Sequence, residues 1–190
     1  ITAIEDGVGV TIARNQYDSS GRLIAIFDAL GRSTQLVHDT ANRRETIIDR
    51  LGRTKRLDYD DRGNVTRVEE AYGTPNIQTT LFEYDDVGNQ TKVTDNLNVS
   101  TRTVYNAQRL PIQTIHAEGT PLAQTTTITY DEYGAPLTVT DLSGLTANAY
   151  DSDGQLLSVT TSDGVLFQNK YDDDGFLVGT VDNRGVVTTN

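Results

Sequence analysis

An aromatic residue followed by aspartate or asparagine returns along this chain at a nearly constant interval, and that period constrains the fold more than any other feature. Tyr17, His38, Tyr59, Tyr84, Tyr105, Tyr130, Tyr150 and Tyr171 are separated by 21, 21, 25, 21, 25, 20 and 21 residues, so eight units fill the 190-residue chain. The residue that follows is Asp18, Asp39, Asp60, Asp85, Asn106, Asp131, Asp151 or Asp172, and the phase holds even where His38 replaces tyrosine. Four places after the aromatic come Gly21, Asn42, Gly63, Gly88, Arg109, Gly134, Gly154 and Gly175. Fourteen places after it come Gly31, Gly52, Gly73, Asn98, Gly119, Gly144, Gly164 and Gly185.

Glycine, and less readily asparagine, accepts positive φ without a large steric cost, so each unit is read as two tight turns, with Arg109 the one exception. The aspartate opening the first turn is expected to fold its carboxylate onto amides two or three residues later, and the glycine to close the turn. The second turn repeats this chemistry from Asp28, Asp49, Asp95, Asp141 and Asp182, with Glu70, His116 and Thr161 as weaker versions.

Roughly six residues lie between turns, a usual strand length, and they alternate as a strand with two unlike faces should. Leu36, Leu57, Phe82 and Ile128 stand two places before the aromatic and share its face; Asn15, Thr103, Asn148 and Asn169 break the pattern there. The 28 threonines favour strands, and no stretch has helical apolar spacing. The fold class is all-β: tandem antiparallel β-hairpin repeats in a continuous curved or spiralling sheet. The alternative is a four-bladed propeller, since two units make four strands in 41 to 46 residues, but the chain has no Trp and lacks the marks of such blades.

With no linker-like gap, residues 1–190 read as a single segment of about eight repeats, and the start at Ile1 and the end within a repeat suggest a fragment of a larger protein. No apolar run of spanning length occurs, so no membrane span is expected in this segment. A net charge of −11 opposes a phosphate backbone, which excludes nucleic acid as the expected partner. Absence of cysteine removes disulfides, thiol nucleophiles and Cys-based zinc sites.

No catalytic constellation emerges. His38 and His116 are 78 residues apart and fill repeat positions held elsewhere by Tyr or Asp. No nucleophile elbow or phosphate-cradling loop is present, and the expectation is no enzyme activity, no cofactor and no metal. Asp151-Ser152-Asp153-Gly154 and Asp172-Asp173-Asp174-Gly175 crowd carboxylates as calcium loops do, but without their ligand spacing; turn formation is the favoured reading. The tyrosines could stack on sugar rings, although sheet packing, with tyrosines of equal phase side by side across strands, accounts for them more simply. Both 25-residue units carry an insertion of the same kind, Gly73-Thr74-Pro75 and Gly119-Thr120-Pro121, expected to form loops or strand extensions at the sheet margin.

The signature Tyr17-Asp18-Ser19-Ser20-Gly21-Arg22-Leu23, followed by Asp28-Ala29-Leu30-Gly31-Arg32, resembles the RHS or YD-repeat family, and it recurs at Tyr59-Asp60-Asp61-Arg62-Gly63, Tyr84-Asp85-Asp86-Val87-Gly88 and Tyr150-Asp151-Ser152-Asp153-Gly154. The resemblance spans the chain. It includes bacterial RHS and wall-associated polymorphic toxins, the B and C components of insecticidal toxin complexes, and teneurins. It implies a β ribbon wound into a shell that encloses a C-terminal toxin polypeptide of the same parent chain, in a secreted or surface-displayed bacterial protein. The alternative, which rests on the periodic placement of the tyrosines and the Gly-Thr-Pro loops, is a module that recognises a cell-surface protein or a glycan. The family's self-cleaving core segment and a toxin domain are not recognisable here.

Overall fold

The computed structural model describes residues 3–5, 7–8 and 11–189, and every regular element among them is a β-strand. Ile1 and Asn190, the ends on which the fragment expectation rests, lie outside the described residues. The chain divides into two compact units, residues 1–99 and 100–190. The first holds β1 (Ala3–Glu5), β2 (Thr11–Tyr17), β3 (Leu23–Asp28), β4 (Ser33–Asp39), β5 (Arg44–Ile48), β6 (Thr54–Tyr59), β7 (Val65–Glu70), β8 (Gln78–Tyr84) and β9 (Gln90–Thr94). The second holds β10 (Ser100–Tyr105), β11 (Pro111–His116), β12 (Gln124–Tyr130), β13 (Pro136–Asp141), β14 (Gly144–Tyr150), β15 (Leu156–Thr161), β16 (Gly164–Tyr171), β17 (Leu177–Asp182) and β18 (Val187–Thr189).

Within each unit every strand pairs antiparallel with the next, in chain order. Pairing runs through each unit without the interruption after every fourth strand that propeller blades require, so the hairpin ribbon replaces the propeller alternative. Among the described residues of each unit, each strand touches only the strands beside it. The consequence is a sheet without a second layer: Ala25 is the only buried hydrophobic residue among those described, while Ile26, Val37, Leu81 and Leu145 remain more than two-fifths exposed on strands.

The turns follow from local chemistry. The Asp18 amide donates to the Arg22 carbonyl at 2.9 Å, and the Gly21 amide to the Asp18 carbonyl at 3.0 Å. The Asp18 carboxylate oxygen Oδ1 accepts from the amides of Ser20 (2.8 Å) and Arg22 (2.9 Å). The same closed set recurs at Asp60, Asp85, Asp131, Asp151 and Asp172. Asn106 reproduces it through its amide oxygen, which accepts from Gln108 and Leu110 at 3.0 and 2.9 Å. The carboxylate therefore reaches the amides two and four residues on; the third amide is taken by the aspartate's own carbonyl.

The left-handed positions also differ from expectation at two places. Arg109 is no exception, for it adopts φ 65° where its neighbours in phase carry glycine. In the His38 unit the left-handed residue is Arg43 (φ 51°), one place beyond Asn42, because the Asn42 side chain is drawn back to the Asp39 carboxylate at 2.7 Å. Here Asp39 pairs with Arg44 without the register shift seen at the tyrosine units.

Two outcomes follow for the turns. At Gly175 (φ 83°) a Cβ would also lie 2.9 Å from the Gln155 Nε2 that donates to the Gly175 carbonyl, whereas nothing lies within 4 Å at Gly154. Gly175→Val is expected to destabilise by about 1–3 kcal/mol, and more than Gly154→Val, as read from urea midpoints; equal losses would refute the steric part.

The turn carboxyls are held below their ordinary value of 3.8: Asp18 and Asp49 chiefly by the backbone amides of Arg22 and Arg53, Asp28 by the Arg32 guanidinium, Asp60 by the Asn64 amide and Asp182 by the Arg184 guanidinium. Depressed folded-state values lend stability that is complete above the unfolded carboxylate range and disappears as pH falls through the folded values. The melting midpoint is expected to drop as pH is lowered below about 4; a midpoint unchanged to about pH 2 would contradict it.

Candidate functional site

Strand register sorts the side chains into two unlike faces. On the tyrosine face Leu36 lies opposite Ile47, Leu57 opposite Val68, Phe82 opposite Val93 and Ile128 opposite Val139. The tyrosines themselves do not lie beside one another as equal phase would suggest. Tyr17 faces Leu23, Tyr59 faces Val65, Tyr130 faces Pro136 and Tyr171 faces Leu177, because an intervening return strand separates each tyrosine strand from the next.

Each of those pairings is preceded by a register shift, as at Asp58/Tyr59 and Thr129/Tyr130. A bulge of this kind leaves backbone groups out of the ladder. The carbonyl at that point accepts a side-chain proton from the following repeat. Tyr84 donates its hydroxyl to Val65 O at 2.9 Å, Tyr130 to Pro111 O at 2.8 Å, Tyr150 to Pro136 O at 3.1 Å and Tyr171 to Leu156 O at 3.1 Å. In the histidine unit the His38 Nε2 meets Leu23 O at 2.7 Å.

Two of the three asparagines that interrupted the apolar pattern take part in the same clasp. Asn148 Nδ2 donates to Pro136 O at 2.8 Å and Asn169 Nδ2 to Leu156 O at 2.9 Å, so one carbonyl accepts from both Asn and Tyr through its two lone pairs. Pro111 and Pro136, lacking an N–H, fit the first place of their strands and still supply the accepting oxygen. Sequence reasoning missed this arrangement; the Asn-x-Tyr spacing was its signal.

In residues 1–99 the opposite face is ionic. Arg44 Nε meets Asp58 Oδ1 at 2.6 Å, Glu69 is held between Arg56 and Arg67 with an Arg67 contact of 2.6 Å, and the Tyr72 ring lies 4.1 Å below the Arg56 guanidinium. Glu69 is 3% exposed, the most buried charge among the described residues, because neighbouring long side chains cover it in the plane. On the same face of residues 100–190 the pairs of β12 to β15 are small and neutral, Thr127 with Thr140, Thr129 with Thr138, Ala147 with Thr160 and Ala149 with Ser158, whereas on β10 Arg102 lies opposite Ile115 and meets Glu118 at 3.3 Å.

The two inserted loops share one geometry. Ala71 and Ala117 adopt φ 53° and 52°, and each accepts from a threonine, Thr74 or Thr120, through both amide and hydroxyl. Pro75 and Pro121 sit in these loops, beyond the strand ends. Between the first loop and the turn at Asp49–Arg53 lies a groove of about 730 Å³, lined by Ile47, Leu51, Lys55, Glu70, Asn76 and Gln78. Lys55 Nζ and Glu70 Oε1, 2.7 Å apart, line it as an ion pair.

The structure brings no reactive set together around the histidines. Both His38 ring nitrogens are engaged, Nε2 by Leu23 O and Nδ1 by Glu45 Oε2 at 2.9 Å, and His116 Nδ1 meets Thr101 Oγ1 at 3.3 Å. Asp151 and Asp172 point Oδ1 at their own turn amides, and no cluster of three or more metal-ligating side chains occurs among the described residues. Among the described residues no helix is long and apolar enough to cross a membrane.

The profile described as RHS Repeat matches residues 17–54 and 84–121. No curated protein matches the chain. Among solved structures, the crystal structure of TcdB2-TccC3 is similar with a TM-score of 0.76 at 19% identity, covering 98% of this chain and 12% of the matched one. That of TcdB2-TccC3-TEV gives 0.75 at 18%, with the same coverage. A Tc holotoxin pore from Photorhabdus luminescens gives 0.74 at 18%, covering 90% and 10%. The likeness establishes the fold, and this chain spans about one-eighth of the length of the first two chains it matches.

The clasp makes a graded prediction. Tyr84→Phe removes the tyrosine donor from Val65 O and is expected to destabilise by about 1 kcal/mol, while Tyr150→Phe costs less because Asn148 still donates to Pro136 O. Urea denaturation of both variants measures the order, and a larger loss at Tyr150 would reject the shared-acceptor account.

Proposed function

We propose that this chain, which carries RHS repeats, is a non-enzymatic stretch of wall, part of a β-sheet shell that encloses a toxin polypeptide of the same longer protein. One observation carries the reading: within each unit a one-layer sheet leaves both broad faces without a covering layer, and its strands contact only their neighbours. Hydrophobic side chains so exposed are stable in water when something else covers them. A wall does so by closing around a cargo. Enclosure needs extent and shape, not a nucleophile, and the engaged nitrogens of His38 fit that role. A secreted or surface-displayed bacterial protein is the setting this implies.

A second reading, recognition of a cell-surface protein or glycan, is supported in residues 1–99 by the groove beside Thr74 and, separately, in residues 100–190 by the exposed Tyr133 of the turn between β12 and β13. The repeat tyrosines Tyr84, Tyr130, Tyr150 and Tyr171 serve it poorly, since their hydroxyls already donate to backbone carbonyls.

The two readings separate by limited proteolysis of the parent protein with and without the repeats. Containment predicts that the domain after the repeats survives roughly tenfold longer when they are present, cleavage tracking the accessible population. Equal digestion in both would reject containment, and a glycan that binds the repeats alone would favour recognition.

A further inference from the structure

Both lengthened units carry arginine at one and the same place, three residues before the repeat tyrosine: Arg56 before Tyr59 and Arg102 before Tyr105. Of the six other units only the first has arginine there, and that unit has no insertion; its Arg14 guanidinium lies 4.3 Å over Phe27, the residue opposite it on β3. In the lengthened units the arginine reaches further, to the loop. Ala71 and Ala117 take the left-handed conformation, and the residue after each, Tyr72 or Glu118, is tied twice to the strand that bears the arginine. Its amide donates to the carbonyl two places before that arginine, Tyr72 to Thr54 O and Glu118 to Ser100 O, both at 2.9 Å. Its side chain meets the guanidinium itself: the Tyr72 ring lies 4.1 Å from that of Arg56, and the Glu118 carboxylate 3.3 Å from that of Arg102.

We propose that Arg56 and Arg102 are positioning residues, anchors that turn the two inserted loops into fixed struts at the sheet margin. Four added residues bring conformational freedom that their own contacts must offset. The hydroxyls of Thr74 and Thr120, bonded to Ala71 and Ala117, close each loop on itself; what ties it to the sheet is one amide bond and the arginine. The two anchors use different chemistry, an aromatic face beside Arg56 and a carboxylate beside Arg102. Arg56 is the firmer of the two, for its side chain is 14% exposed and Glu69, which Arg67 also holds, fixes it from β7. Lys55 lines the groove beside the first loop, and Arg56, next along β6, projects on the other face. Arg56 therefore sets the wall formed by Ala71, Thr74 and Asn76 without lining the groove itself. Loops held in this way are preorganised for contact, with little ordering cost left at binding.

The inference is independent of whether the sheet encloses a cargo. Hydrogen exchange of the whole chain tests it at the amides of Tyr72, Thr74, Glu118 and Thr120, read against those of β3 and β4. Tyr72→Leu is expected to lower protection of the first loop about threefold to tenfold, while Tyr72→Phe, which keeps a ring beside Arg56, leaves it unchanged. Arg56→Gln should match Tyr72→Leu in the loop, and the double variant should lose no more than either alone. Arg102→Gln should loosen the second loop about twofold to fivefold at low salt. At about 1 M NaCl that effect should vanish, because the pair with Glu118 is already screened, whereas the loss at Tyr72→Leu persists. A Tyr72→Phe variant as loose as Tyr72→Leu would overturn the proposal, as would Tyr72→Leu losses equal in the loop and in β3 and β4. Additive losses from Tyr72→Leu and Arg56→Gln would reject the first anchor, and a salt-independent loss at Arg102→Gln the second.

Discussion

A sheet with no second layer must satisfy its backbone and cover its side chains within its own plane, and the rest of this structure depends on how it does so. Each hairpin that begins at a repeat tyrosine leaves its first turn through a strand whose register slips just opposite that tyrosine, as at Tyr59 and Tyr130, and only the His38 hairpin among those described does not. A carbonyl at such a slip sits beside the ladder and needs a donor. The donor arrives from the following hairpin: Tyr84, Tyr130, Tyr150 and Tyr171 each bring a hydroxyl to the equivalent oxygen of the preceding repeat. The tyrosine therefore acts between repeats, joining one to the next, and its ring covers the sheet surface on the way.

The turns solve the complementary problem locally. One carboxylate or amide oxygen, one carbonyl and one left-handed residue close a loop whose polar groups face each other, so the hairpin direction is set before any neighbour arrives. Arg109 shows the order of command: with Asn106 supplying both amide contacts, the backbone takes φ 65° although the side chain there is arginine. In the His38 unit the same demand shifts one residue on to Arg43, because Asn42 is occupied with Asp39.

The two faces have different energetic roles. Apolar cross-strand pairs such as Leu57 with Val68 and Phe82 with Val93 each contribute on the order of 0.2–1 kcal/mol, and they share their face with the clasps. The reverse face is covered in the first unit by long ionic side chains around Glu69 and, over β12 to β15 of the second, by threonine, serine and alanine. Such a sheet is stabilised by many small nearest-neighbour terms, the economy of repeat structures generally. That architecture suits a wall better than a catalytic pocket, whose groups must be held from several directions at once.

The amino-acid sequence by itself determined what depends on a few adjacent residues. The two reversals per unit at Asp18 to Gly21 and Asp28 to Gly31, the all-β character and the face shared by Leu36, Leu57, Phe82 and Ile128 were legible, because positive φ, Asx chemistry and a period of two act over short stretches of chain. What lay beyond those stretches was not. The asparagines at 148 and 169 looked like faults in an apolar pattern and are second donors to a carbonyl more than ten residues away. Tyrosines in equal phase looked like neighbours and are held apart by a return strand. His38 looked like a worn tyrosine and is placed between two acceptors on separate strands. Only the tertiary structure decided these, since the partner of each side chain is chosen by strand register, which is set by the pairing of whole hairpins and is not written at any single position.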